Sequence, residues 1–417
     1  MRIEYSVPEG STEREQAVTS LCNPSVELKY RPLREDHPLG LLEDACLRMR
    51  TPRYATCHAC ESVCPVKAIR IGETAIQLDE NCIGCGRCAA ACPMGALTLP
   101  GFSVPDVPRE STRPLSVDCW KVPRELSPVG AVRLPCLGGL SAGRILELVA
   151  MAGEGSLELL DRGWCSRCSA NATSDHPLRA SLDQARSLLD AACLGTNRLP
   201  RLRSVHLPDD LMPVEIPAPE TATNMSRRGF FSALVAKAAV TLDQVKPLAP
   251  GPEARRRRGF EKAPVPSRER ERLLRGMELI GKSAGVTQPH GPFHRVTVSA
   301  ACNNSQLCAS ICSTGALGVF EEGSRTELVF DTRLCIGCNE CRSICPSGAL
   351  SVLPNGYGVG RAALPDHPIR LTSFDEKICP ECARTFTNKD GEDLCPQCRK
   401  RRHLAGSAFQ SLFGSGR

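Results

Sequence analysis

Aromatic residues are scarce in this chain: two Trp, four Tyr and eleven Phe make up 4% of 417 residues. Hydrophobic residues reach 41%, but 33 prolines and 34 glycines interrupt them. That balance predicts about two to four small, loop-rich domains on extended linkers, and not one large core. No stretch has the length of apolar run that a transmembrane helix needs. The opening Met1–Gly10 has no apolar signal run, so the expected compartment is reducing and cytoplasmic. A net charge of +6, with basic residues not interleaved with aromatics, is low for a nucleic-acid binder. Also lacking are a Gly-rich dinucleotide fingerprint after a strand, a P-loop and a Ser/His/Asp constellation. No small-molecule substrate is expected from this, nor a free-standing enzyme.

Cysteine is the excess, with 25. Disulfide scaffolds are short secreted chains, and here the thiols fall instead at metal-ligand spacings. Cys82, Cys85, Cys88 and Cys92 followed by Pro93 repeat the pattern of Cys335, Cys338, Cys341 and Cys345 followed by Pro346. Two residues between ligands let one tight loop wrap a face of a cubane, and Gly84, Gly86 and Gly337 permit positive φ there. An incomplete copy precedes each: Cys57, Cys60, Cys64 and Pro65, with Tyr54 where the first thiol belongs, and Cys302, Cys308 and Cys312, with Ser305 where the second belongs and Ser313 in place of proline.

These four motifs resemble the bacterial-type 4Fe-4S ferredoxin family, as two dicluster modules in one chain. The resemblance implies crossed ligation, the fourth cysteine of each motif serving the neighbouring cluster. Cys82, Cys85, Cys88 and Cys64 would hold one cubane; Cys57, Cys60 and Cys92 the next, one ligand short. Cys46 is the nearest thiol to complete it; a buried free thiol and a three-iron cluster are the alternatives. In the second module, Cys335, Cys338, Cys341 and Cys312 would hold a cubane. Cys302, Cys308 and Cys345 would hold a 3Fe-4S cluster or one with a labile iron; an open corner there ranks above Ser305 as an oxygen ligand. The total is three to four clusters.

Between the modules, Ser116–Cys119, Ala131–Leu134 and Leu157–Leu160 read as short buried strands, and Ala142–Met151 and Pro177–Ala192 as amphipathic helices. Alternation of this kind predicts a small parallel α/β layer. Cys119, Cys136, Cys165 and Cys168 fall near the strand ends, with Cys193 further on. Cys119-Trp120, Leu134–Gly138 and Trp164–Cys168 resemble the cysteine-bearing α/β domain of small iron–sulfur subunits associated with hydrogenases and heterodisulfide reductases. That implies a further cluster or a zinc; ordinary buried cysteines are the alternative.

At the far end, Cys379-x2-Cys382 and Cys395-x2-Cys398 have zinc-ribbon spacing, a closed tetrahedral thiolate set. The domains expected are an extension (1–49), a first dicluster module (50–100), the central domain (115–210), a linker with short helices (211–292), a second dicluster module (293–356) and the ribbon (374–402). The fold class expected is α+β multidomain. A short helix is expected over Leu39–Met49, a hairpin over Ala68–Ile71 and Ala75–Leu78, and a solvated helix over Ser267–Arg275. Ser226–Phe231 resembles a twin-arginine signal but lies in mid-chain, so export is rejected, and Arg255–Arg258 reads as exposed linker. His58, inside a motif, reads as an exposed or supporting group.

The function expected is that of an electron relay or subunit passing single electrons between redox partner proteins. Two other readings compete. One is an iron–sulfur sensor or maturation factor, binding a client or nucleic acid through its ribbon. The other is catalysis at the open corner of a three-ligand cluster.

Overall fold

A computed structural model describes residues 30–51, 55–102, 113–171, 175–191, 198–212, 263–284, 293–354, 365, 367–389 and 391–413. Tyr54, Cys193, the 226–231 stretch and Arg255–Arg258 lie outside them. The chain is a mixture of short helices and small sheets.

In the first region, β1 (Arg31–Arg34) and β2 (His37–Leu41) form an antiparallel sheet with β5 (Leu97–Thr98), while β3 (Ile69–Ile71) and β4 (Ile76–Leu78) form the expected hairpin. Two expectations are corrected. Leu39–Leu41 is strand, and the helical part is a 3-10 turn at Glu43–Ala45 followed by one α-turn at Leu47–Arg50. Pro38 and Gly40 disfavour a helix, and Gly40 lies so close to β5 that a Cβ would stand 3.2 Å from Thr98 Cγ2. Residues 30–49 are therefore part of the first module's sheet and core: Gly40 pairs with Thr98 and Leu41 with Leu97.

The central domain is a four-stranded parallel sheet in the order β7 (Val132–Leu134), β6 (Leu115–Cys119), β8 (Leu157–Asp161), β9 (Arg201–Ser204). Helices Ala142–Ala152 and Arg179–Ala191 connect its strands. The sequence pattern marks β6, β7 and β8 but not β9, whose Arg-Leu-Arg-Ser pattern buries little. Asp118 and Arg162, both buried, pair at 2.7 Å and brace β6 against the turn after β8.

The second region pairs β10 (Arg295–Val298) with β13 (Leu350–Leu353). Beside it lies a sheet of β11 (Leu317–Glu322), β12 (Arg325–Phe330), β14 (Ile369–Ile378) and β15 (Thr385–Thr387). β14 pairs along β12 and leads directly into Cys379, so the segment carrying the cysteine knuckles grows out of the second module's sheet.

Helix Arg268–Ala284 corrects the linker reading. It is not solvated: Arg270, Leu273, Met277 and Ile280 are buried along one face. The stripe follows the 3-4-3 spacing of a packed helix, and its apolar members begin at Leu273, near the end of the stretch that looked solvated. Gly276 permits close packing on Ala142–Ala152; a Cβ there would meet Leu146 Cβ at 2.8 Å. One hydrophobic core runs through the first module, the central sheet and this helix, and Ile336 and Cys338 of the second module pack against it.

Candidate metal centres

The loop geometry follows from a few backbone conformations. Gly84 and Gly86 sit at φ 63° and 73°, and Gly337 and Asn339 at 69° and 63°, each pair turning the chain between successive cysteines. Asn304 and Gln306 hold the same left-handed conformation at 55° and 60°, so the Cys302–Cys308 loop is shaped like the complete ones and Ser305 occupies the place of Cys85 and Cys338. The first motif differs. His58, in register with Gly86, has φ −127°, so the loop that lacks its first thiol also lacks this turn.

After each motif the chain turns back through another left-handed residue: Lys67, Gly95, Gly315 and Gly348. In three of the four, a following amide then donates to the last cysteine: Ala68 N to Cys64 Sγ (3.2 Å), Ala96 N to Cys92 Sγ (3.3 Å) and Leu317 N to Cys312 Sγ (3.4 Å). This is the physical content of the repeated small-then-apolar step in the sequence. Amides aimed at sulfur stabilise thiolate and tune a cluster's potential.

Four thiol sets result. Cys64, Cys82, Cys85 and Cys88 line one cavity, with His37 and Ile83. Cys46, Cys57, Cys60 and Cys92 line a second. Cys46 stands at the N-cap position of helix Leu47–Arg50 and lines this cavity with the other three. Cys302, Cys308 and Cys345 line a third with Asn303, Asn304, Ser305 and Thr372. Cys312, Cys335, Cys338 and Cys341 make the fourth: burial pushes the Cys341 thiol up, and Cys312, Cys338 and Cys335, in that order, push it further.

Burial raises Cys60 and Cys338 to about 12 and Cys92, Cys308 and Cys335 to about 11, whereas at Cys345 burial is outweighed by hydrogen bonds from Ser347 and the following amides, which hold the thiol down. Thiolates collected in such surroundings need a cationic core to compensate them. The donor set, the amides on sulfur and the apolar cavities all fit an iron–sulfur cluster. His58 is exposed and contacts Glu61 at 3.0 Å.

In the central domain, Cys119 ends β6, Cys136 follows β7, and Cys165 and Cys168 lie in the turn after β8. All face the carboxyl edge of the parallel sheet, where α/β sheets place ligands. Burial raises Cys119 to about 11 and Cys165 to about 12, and Lys121 Nζ lies 3.9 Å from Cys168 Sγ. Asp161 and His176 join here and carry no motif of their own in the sequence: ligand atoms of Asp161, Cys165 and His176 lie within 4.8 Å of one another. His176 Nδ1 accepts from Leu178 N (3.3 Å), which puts the neutral ring's proton on Nε2; that atom is buried 3.9 Å from Asp161 Oδ1, too far for a hydrogen bond, and has no hydrogen-bond partner among the described residues. Its place before a helix at the sheet's carboxyl edge was the available signal.

At the end of the chain, Cys379, Cys382, Cys395 and Cys398 also gather within 4.8 Å. The Cys395 amide donating to Cys379 Sγ (3.4 Å) holds that thiol down at about 6. Three of the cysteines are themselves the core of this segment, with Phe386 and Leu394 against them.

Residues 54–100 match the model of the LdpA Fe-S cluster-binding domain and residues 301–349 that of the 4Fe-4S dicluster domain. Formate hydrogenlyase subunit 2 of Escherichia coli K12 is 41% identical over 64 residues, 14% of this chain and 32% of that protein. Hydrogenase-4 component A of the same organism is 51% identical over 51 residues (11% and 25%). A subunit of the ion-translocating oxidoreductase complex of Methanosarcina acetivorans is 46% identical over 44 residues (10% and 17%). This chain thus spans a third or less of the length of each of these relatives. The matched stretches are iron–sulfur domains of the ferredoxin type, which supports an iron–sulfur electron-transfer role. Among the described residues no helix is long and apolar enough to cross a membrane.

Proposed function

We propose that the chain is a multi-centre electron relay serving partner subunits of an oxidoreductase system. In this reading each of the four thiol sets of the two modules holds a cluster, crossed as the ferredoxin resemblance implies. Cys64, Cys82, Cys85 and Cys88 hold centre A, and Cys46, Cys57, Cys60 and Cys92 hold centre B. Cys312, Cys335, Cys338 and Cys341 hold centre C, and Cys302, Cys308 and Cys345 hold centre D, with Ser305 beside its open corner. Cys119, Cys136, Cys165 and Cys168 hold a fifth centre, and Cys379, Cys382, Cys395 and Cys398 a structural zinc.

The observation that carries the relay is the adjacency of the sets. Helix Ala59–Ser62, which carries Cys60, packs on helix Arg87–Ala91, which carries Cys88, and helix Leu307–Ile311, with Cys308, packs on helix Glu340–Ile344, with Cys341, so A neighbours B and C neighbours D. The Leu137–Gly139 turn that follows Cys136 packs on helix Arg87–Ala91 with Gly139 against the Cys85 carbonyl, so the fifth set neighbours A. The relatives named as hydrogenlyase, hydrogenase and ion-translocating oxidoreductase subunits support partners of that redox class.

The reaction is outer-sphere transfer: one electron leaves a reduced centre and enters an oxidised neighbour, with no bond made or broken in the chain. The protein's part is to hold the thiolates, aim amides at sulfur and exclude water.

Anaerobic purification with iron, sulfide and zinc counted per chain, followed by EPR of oxidised and dithionite-reduced samples, tests this. The four modular centres call for about fourteen to sixteen irons, the fifth centre adding to them if it is a cluster, with about one zinc and interacting reduced-state signals. Iron near zero with several zincs would leave the binding-module reading in its place.

A further inference from the structure

The helix that looked like a linker touches both modules at the residues that adjoin their cysteines. On the first module, Ser267 Oγ donates to Pro93 O (2.7 Å) and Arg268 N to Met94 O (3.2 Å), one and two residues after Cys92. On the second, the Arg270 guanidinium donates to Arg333 O (2.9 Å) and Thr332 O (3.2 Å), just before Cys335, and stacks on the Phe293 ring. Val265 N donates to Ser313 O (2.8 Å), the residue after Cys312. The rest of the helix lies along Ala142–Ala152 and is fixed there by Glu269, which accepts from Gly143 N (3.0 Å).

A second set of contacts closes the same gap from the other side. Thr51, one residue past the helix that Cys46 starts, has its hydroxyl 3.3 Å from Glu340 Oε1, between Cys338 and Cys341. Arg50 donates to Ala263 O at 2.8 Å, tying the same segment to the start of the strut.

We propose that residues 263–284 are a strut that sets the separation between centres B and C, and that Arg270 is its positioning residue. The inference rests on the relay reading and deepens it: electrons cross between the modules at this junction. A reduced centre on one side gives one electron to its oxidised neighbour across it, a soluble one-electron reductant such as dithionite supplying the first. The centres then stand in the order fifth, A, B, C, D, so external partners exchange electrons at the two ends.

The test uses the full chain, purified anaerobically, with iron counted, reduced with dithionite and examined by pulsed dipolar EPR across the junction. The wild type is expected to give one narrow B–C distance. Arg270→Met, which keeps the stem and loses every donor, is expected to retain full iron while that narrow distance is lost to a broad distribution. Arg270→Lys, which keeps one donor group, is expected to restore part of it. An equally narrow distance in Arg270→Met at full iron overturns the strut and leaves the relay standing. If Arg270→Met loses iron, Ser267→Ala decides from the other side: broadening at full iron supports the strut, and an unchanged distance overturns it. A wild type without iron overturns the relay reading itself.

Discussion

On the relay reading, a single sulfur decides the character of centre B. The first loop lacks both the thiol expected at position 54 and the left-handed turn at His58, yet Cys46 lines the same cavity as Cys57, Cys60 and Cys92. If Cys46 is the fourth ligand, Cys46→Ser should convert a four-iron signal into a three-iron one. The measurement is oxidised-state EPR with iron per chain, and a loss of about one iron is expected. Unchanged iron and spectrum would make Cys46 a bystander. Centre D makes the useful contrast, because its loop keeps the left-handed residues and replaces only the sulfur, so Ser305 stands where a ligand would.

At the scale of elements, the cysteine knuckles are joined to the least complete centre. Asn304, in the left-handed loop, donates from Nδ2 to Thr387 Oγ1 (2.9 Å) between the knuckles, and Lys389 Nζ donates to Ala300 O (2.9 Å). Thr372 of β14 lines the cavity of Cys302, Cys308 and Cys345. The knuckle segment has almost no core besides its cysteines, so metal binding would supply its folding energy. Cys398→Ser, or zinc removal from the full chain by a chelator, should therefore release the Asn303–Gln306 loop. The expected result is a broadened or lost signal from centre D, with A, B and C unchanged. If all four signals are untouched, the knuckles and the cluster are mechanically independent.

At the scale of the whole molecule, the contact between the central domain and centre A depends on glycine. A Cβ on Gly139 would stand 2.3 Å from the Phe102 ring and 2.7 Å from Cys85 O, and one on Gly138 would stand 3.3 Å from Arg87 Cγ. Arg87 also donates to Ala170 O at 2.9 Å across the same contact. Gly139→Ala should cost about 1–3 kcal/mol of overpacking. It should also weaken magnetic interaction between centre A and the fifth centre while each module keeps its iron. Thermal unfolding followed by circular dichroism, together with reduced-state EPR, checks both.

Much of this protein was legible without coordinates, because a metal cluster constrains local sequence. Cys-x2-Cys spacing, the glycine between ligands and the small-then-apolar return are short-range requirements of one loop, so the four motifs and the missing thiols could be read directly. Three of the four parallel strands of the central domain were also legible, as short apolar-rich stretches alternating with amphipathic helices, while Arg-flanked β9 was not. What only the tertiary structure decided is what depends on distant partners. Cys46 reaches its cavity because β2 pairs with β5, far along the chain. Asp161 and His176 meet Cys165 only once the sheet brings its carboxyl edge together. Arg270 looked like one more solvated charge, because a guanidinium is buried only where carbonyls and a ring from elsewhere receive it, and those come from Thr332, Arg333 and Phe293. Ligand spacing is a property of the loop; the separation between clusters is a property of the packing.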